Sequence, residues 1–335
     1  MSKIHSGVVR LTLFAAALSF GILGIFLETR RELIPEAVGE EISVLILPGQ
    51  SAYEVAENFE TMGAVSSARE FARQMAKIGI DKRLLPGAYR VIAGVPKDVA
   101  AQLAAMRPEV PSATILPGAL FEEIAASFGR PDGEELLSGA LEKSDNFPSG
   151  LRPLLPEDLK GRVVFLAPET YFLNPGDSCA DELVSAASGM WWKRHGEMVP
   201  EGATSADISS LGILASIVQK EALVDSDRPI IAGVFNNRLK LGMPLQSCAT
   251  VVHAWRLRGV KITSVSYNDV KVDSPFNTYE RKGLPPENIG VPSESSWNAA
   301  LRPDDTDMLF FFARGDGSHV FTRTYKDHLE AQKKK

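Results

Sequence analysis

The segments ILPGQSAYEVAENF (46–59) and ILPGALFEEIAASF (115–128) carry the same residue at seven aligned places, and the reading of that pattern decides the fold class. An apolar run meets a Pro-Gly turn, after which apolar residues recur three or four apart, the period of a helix packed on one face. Each copy therefore predicts a strand, a turn and a helix. A weaker third copy, YRVIAGVPKDVAAQL (89–103), repeats the order with a turn one residue shorter. Such units are common building blocks, so the repeat points to an α+β fold without assigning a function.

Working outward, SSAREFARQMAKIGID (66–81) predicts a helix capped by Ser66 or Ser67, and LLPGAYRV (84–91) a returning strand. Residues 33–130 thus read as small α+β modules. Residues 131–162, polar and rich in Gly, Pro and Ser, read as a linker or irregular segment. A C-terminal domain, 163–335, opens with RVVFLAPETYFL (162–173) and a helix over 179–198, in which the adjacent Trp191 and Trp192 cannot both point fully into a core. Further on, DRPIIAGVFNNRLKLG (227–242) predicts a helix opened by Pro229 and closed by Gly242. The stretch SPFNTYERKGLPPENIG (274–290) is too rich in Pro, Gly and Asn for regular structure, and MLFFFARGDGSHVFTRTYKDH (308–328) predicts a hairpin followed by a helix.

The 335-residue chain is 44% hydrophobic and 23% charged, enough to build cores without staples. A net charge of −6 gives a nucleic-acid partner no electrostatic support. Two cysteines, Cys179 and Cys248, are too few for a metal cluster or a disulfide framework and read as unrelated thiols. From Leu11 to Leu27, LTLFAAALSFGILGIFL is uncharged over a length that spans a bilayer core, and no small-residue cleavage site ends it. Residues 1–32 therefore read as a short cytoplasmic tip and a single membrane anchor, with the remainder outside the cytoplasm.

No nucleotide-binding glycine loop, two-histidine zinc spacing or G-x-S-x-G elbow occurs, and His253, His319 and His328 stand isolated in sequence. Acid chemistry by carboxylates remains. In LGILASIVQKEALVDSD (211–227), Leu211, Leu214, Ala215, Val218 and Ala222 share one helical arc, and Glu221 falls beside Leu214 on it. A carboxylate in that setting is partnered, protonated or used, because an unpaired buried charge is costly. An apolar setting raises its pKa and keeps a proton available for a leaving oxygen. The competing readings are a salt bridge from Glu221 to Arg228 or Arg238, and a carboxylate pair with Asp225 or Asp273 of the hydrolytic glycosidase kind.

Taken in order, LASIVQKEA (214–222), AGVFNNRLKLGMPLQ (232–246), SPFNTYERKGLPP (274–286) and FFFARGDGSHVFTRTYKDH (310–328) resemble the endolytic murein transglycosylase, or YceG-like, family. The resemblance implies LysM-like glycan-binding modules before a lytic-transglycosylase-type catalytic domain, in a single-pass protein of the inner membrane facing the periplasm. It implies peptidoglycan glycan strands as substrate, cell-wall synthesis proteins and the membrane as partners, and neither metal nor cofactor. In such enzymes one glutamate protonates the bond between N-acetylmuramic acid and N-acetylglucosamine, then deprotonates the muramyl C6 hydroxyl as a 1,6-anhydro ring closes. Carried over, that residue is Glu221, with Gln246, Thr250, Asn277 and Tyr279 as substrate-binding groups. The chain departs from the family at Gln219, where a glutamate is usual, at Cys248-Ala249, where Asp-Pro is usual, and at Phe276, where tyrosine is usual. A family Glu-Gly shortly before the Pro-Asp-Thr-Tyr motif has no counterpart before Pro168-Glu169-Thr170-Tyr171. Those departures leave a second reading, a membrane-tethered glycan-binding scaffold with a degenerate site.

Overall fold

A computed structural model describes residues 39–174 and 176–334, and its mixed helices and strands fall into two compact units, the first ending at Glu109 and the second beginning at Val110. The expected anchor, 11–27, lies outside the described residues. Among the described residues no helix is long and apolar enough to cross a membrane.

In the first unit, β1 (Glu41–Ile46) and β2 (Gly87–Ile92) pair antiparallel, with Ile46 opposite Gly87. Between them run α1 (Ala52–Thr61) and α2 (Ala68–Ile78); α3 (Pro96–Ala105) follows β2. Local chemistry fixes the helix starts. Ser51 and Glu54 cap α1 reciprocally, Ser67 rather than Ser66 caps α2, and Gly79 ends α2 at φ +72°. Val55, Phe59, Phe71, Met75, Val91 and Val99 are sealed from solvent in a core of their own, where the Phe59 and Phe71 rings meet at 4.9 Å.

The second copy of the repeat belongs to the second unit. There β3 (Ser112–Thr114) pairs antiparallel with β4 (Thr170–Phe172), and α4 (Phe121–Ala126) follows the Pro-Gly turn. The supposed linker is core. α5 (Gly133–Glu142) and three short 3-10 turns occupy 133–165, and Leu137, Leu141, Phe147 and Leu151 are buried to 2% or less. The Gly, Pro and Ser residues that suggested a linker make those turns. The compact units divide once, after Glu109, whereas the sequence alone suggests divisions at 130 and 163.

α6 (Cys179–His195), α7 (Ser205–Glu221), α8 (Arg228–Lys240), α9 (Cys248–Leu257) and α10 (Glu294–Leu301) build the rest of this core. Trp191 is buried against Phe165 and Trp297, whereas Trp192 is half-buried. Gly212 lets Trp297 of α10 come against α7, since a Cβ there would lie 3.2 Å from that ring. The expected hairpin forms as β5 (Phe310–Ala313) and β6 (His319–Thr322), with Ala313 opposite His319, and α11 (Tyr325–Gln332) follows.

Candidate active site

Glu221 is the last residue of α7, a helix opened by a reciprocal cap between Thr204 and Asp207. Leu214, Ala215, Val218 and Ala222 are buried as the arc predicts, and Glu221 is half-buried beside them. Extended backbone at Ala222 ends the helix there. Neither arginine takes the carboxylate. Arg228 donates to Asp225 Oδ1 at 2.7 Å and to Ser296 Oγ at 2.7 Å. Arg238 donates to the carbonyls of Leu309 at 2.7 Å and Leu245 at 2.8 Å.

The partners of Glu221 are neutral. Its Oε1 accepts from Ser247 Oγ at 2.5 Å and from the Ala249 N–H at 3.4 Å, both at the N-terminus of α9. Burial pushes its carboxyl up; the two donors, and then the nearby His319, oppose that rise. A group so placed holds a proton more readily than an ordinary glutamate and has donors ready for the charge left when the proton goes. Asp225 and Asp273 are engaged elsewhere. Arg228 and Ser295 hold the Asp225 carboxyl below its ordinary range, and Arg281 reaches Asp273 at 3.3 Å.

The segment that presents Ser247 is braced from 274–290. Gln246 donates its N–H to Thr278 O at 3.0 Å, and Ser247 its N–H to Thr278 Oγ1 at 3.0 Å. Gln246, exposed, has the sole positive φ outside glycine among the described residues, +52°, a conformation that costs roughly 1–3 kcal/mol and collects at functional sites. Tyr279 OH meets Cys248 Sγ at 3.1 Å, and burial holds its phenol above the ordinary range, so it remains a neutral donor.

Thr250 and Asn277, expected to touch sugar, are fully buried. Thr250 Oγ1 donates to Ser247 O at 2.7 Å and contacts Thr278 Oγ1 at 2.8 Å; Asn277 Nδ2 donates to the carbonyls of Val270 and Val272, each at 2.8 Å, and its Oδ1 accepts the Tyr279 N–H at 3.0 Å. They shape the loop, while Gln246 and Tyr279 keep surface beside Glu221. Gln219, where the family resemblance leads one to expect glutamate, accepts from the Ser293 N–H at 3.0 Å and from Ser296 Oγ at 2.9 Å. An amide suffices for that brace.

Two features of this region escaped the sequence. Lys220 turns away from Glu221 and donates to Gly118 O at 2.7 Å, where 118–119 and 291 exchange backbone hydrogen bonds of 2.6 and 2.8 Å. Asp227, six residues after Glu221, receives both the backbone N–H and Nδ1 of His319, at 2.8 and 2.9 Å. A cavity of about 520 Å³, lined among others by Phe121, Glu122, Lys160, His253 and Arg256, does not include Glu221, and burial lowers His253 there to about 4.

The chain is 38% identical to the endolytic murein transglycosylase of Bacillus subtilis over 173 residues, 51% of this chain and 47% of that protein. It is 28% identical to the endolytic murein transglycosylase of Streptococcus pneumoniae over 247 residues, 66% of this chain and 44% of that protein. The chain thus spans about half the length of the curated relatives it matches. The crystal structure of a yceG-like protein from Listeria monocytogenes is similar with a TM-score of 0.53 and 25% identity, covering 87% of this chain and 98% of that one. With the family matched over residues 44–334, encompassing every residue of the site just described, the chain belongs to the YceG-like family.

Proposed function

We propose that this protein is a lytic transglycosylase, a lyase that cuts peptidoglycan glycan strands internally. The observation that carries the reading is the state of Glu221: a carboxyl raised by burial, without a Lys or Arg partner among the described residues, and held by neutral donors from Ser247 and Ala249. The protonated carboxyl gives its proton to the oxygen leaving C1 of N-acetylmuramic acid, and the C1–O bond breaks. The resulting carboxylate, stabilised by Ser247 Oγ–H and the end of α9, takes the proton of the C6 hydroxyl as O6 bonds to C1. Water takes no part, so one carboxyl serves both steps; this accords with Asp225 and Asp273 being committed to arginines. Gln246 and Tyr279 orient sugar at the exposed side; Thr250 and Asn277 act through the loop they hold.

The β-α-α-β order of the first unit supports a LysM-like, glycan-binding role for it. The apolar run at 11–27 supports a single-pass anchor in the inner membrane, with the rest in the periplasm beside cell-wall synthesis proteins. The deciding experiment is mass spectrometry of the products after incubating the full chain, in detergent, with uncrosslinked glycan strands, alongside Glu221→Gln. Internal fragments ending in 1,6-anhydromuramic acid, lost in the variant by at least about a hundredfold, are expected. Reducing ends instead would make the protein a hydrolase, and binding without cleavage would make it a scaffold.

A further inference from the structure

Sequence alone leaves His319 an isolated histidine at the end of a hairpin. Folding puts it across from Asp227, 92 residues earlier in the chain, and the geometry of the pair is specific. One oxygen, Asp227 Oδ2, accepts both the backbone N–H and the ring Nδ1 of His319, and the two side chains are only 4% (His) and 12% (Asp) exposed. A carboxylate oxygen only accepts, so Nδ1 carries a proton; this fixes the ring plane and, in the neutral ring, leaves the lone pair on Nε2. Phe311 and Phe321 flank the ring at 5.5 and 6.2 Å, which locks it further. Nε2 makes no hydrogen bond among the described residues, and the ring keeps a small part of its surface exposed.

Such a constellation is more than a packed histidine needs. Buried polar groups are as a rule hydrogen-bonded, so an unpartnered ring nitrogen calls for an explanation. Here one nitrogen is spent on orientation and the other is left open, the arrangement by which carboxylates aim imidazoles in catalytic sites. Its place is beside Glu221. The turn of the hairpin comes against the residues just after α7, since a Cβ at Gly317 would lie 3.7 Å from Leu223, and Asp227 closes the 3-10 turn that follows them.

We infer that His319, aimed by Asp227, accepts a hydrogen bond at Nε2 from a hydroxyl of the sugar bound at Glu221 and so holds that sugar for the attack of its own C6 hydroxyl. The inference rests on the transglycosylase reading and adds a residue to it. His319 takes no proton from substrate in this account: the proton lent by Glu221 to the leaving oxygen is regained by Glu221 from the C6 hydroxyl. Its contribution is orientation, which matters most where an internal hydroxyl must outcompete water at C1.

Two isosteric replacements separate this role from packing. Asparagine places its amide near Nδ1 and can keep the Asp227 contact while giving up Nε2; glutamine reaches the position of Nε2 and gives up Nδ1. In full-chain protein checked for folding by its thermal transition, His319→Asn should lower kcat by about tenfold, the worth of one oriented hydrogen bond, and raise the proportion of reducing ends over anhydro ends. His319→Gln should recover part of both. The inference is overturned if His319→Asn turns over with the rate and products of the wild type, or if glutamine serves no better than asparagine. A wild-type chain that makes no anhydro ends removes the transglycosylase reading and this inference with it; one that makes them regardless of residue 319 removes the inference alone.

Discussion

At the scale of single residues, Glu221 is a carboxyl that the fold holds at some cost. Because burial raises its carboxyl in the folded chain, the native state keeps a proton that the unfolded state has already released as pH climbs past the ordinary glutamate value. Stability from this group is thus full at acid pH and is lost as pH rises through the native value. Glu221→Gln should therefore melt higher than wild type at neutral pH, and the difference should vanish below the ordinary carboxylate range; thermal denaturation between pH 3 and pH 8, on the order of five points, reads it directly. An identical melting point across that range would show that the carboxyl carries no burial cost. This residue was legible because helical period alone places it among Leu214 and Val218. Burial of Thr250 and Asn277 is not legible in the same way, since an amide or hydroxyl that braces a loop looks the same in sequence as one that meets a sugar. The Asp227–His319 pair was invisible because nothing local links residues so far apart.

At the scale of elements, the site depends on a crossing of two glycine-bearing turns. Gly118 (φ +82°) and Gly290 (φ +146°) pass so closely that a Cβ at 290 would stand 2.5 Å from Gly118 O, the same oxygen that takes the Lys220 ammonium. Gly290→Ala should destabilise the second unit by about 1–3 kcal/mol, read from urea denaturation, because backbone must shift where φ also disfavours a side chain. Lys220 is the neighbour of Glu221, so turnover should fall alongside; unchanged stability would mean that the crossing relaxes freely. Strand-turn-helix order was legible at all three copies of the repeat, since Pro-Gly and helical period are local signals. Residues 131–162 read as a linker or irregular segment because 3-10 turns use the same Gly, Pro and Ser that linkers use, and only the burial of Leu137, Leu141 and Phe147 tells them apart.

At the scale of the whole molecule, the repeat misled where it also informed: its two best copies suggested one run of modules, yet they belong to different compact units. Sequence similarity reports local structure, whereas unit membership depends on which apolar faces meet. Each unit has a separate buried cluster, so each should respond separately to damage. Phe59→Ala, which empties a fully buried ring site in the first unit, should cost that unit about 3–5 kcal/mol and lower one calorimetric transition while leaving the other in place. A single transition displaced as a whole would show that the two units melt as one. The hairpin of β5 and β6 has a consequence in time. Ribosomes deliver the chain from its N-terminus, so Glu221 and its helix exist about a hundred residues before His319 closes over Asp227 and the Leu309 carbonyl receives Arg238. An unfinished chain therefore carries Glu221 without these surroundings, and premature termination anywhere short of the hairpin leaves Asp227 without His319 and Arg238 without the Leu309 carbonyl.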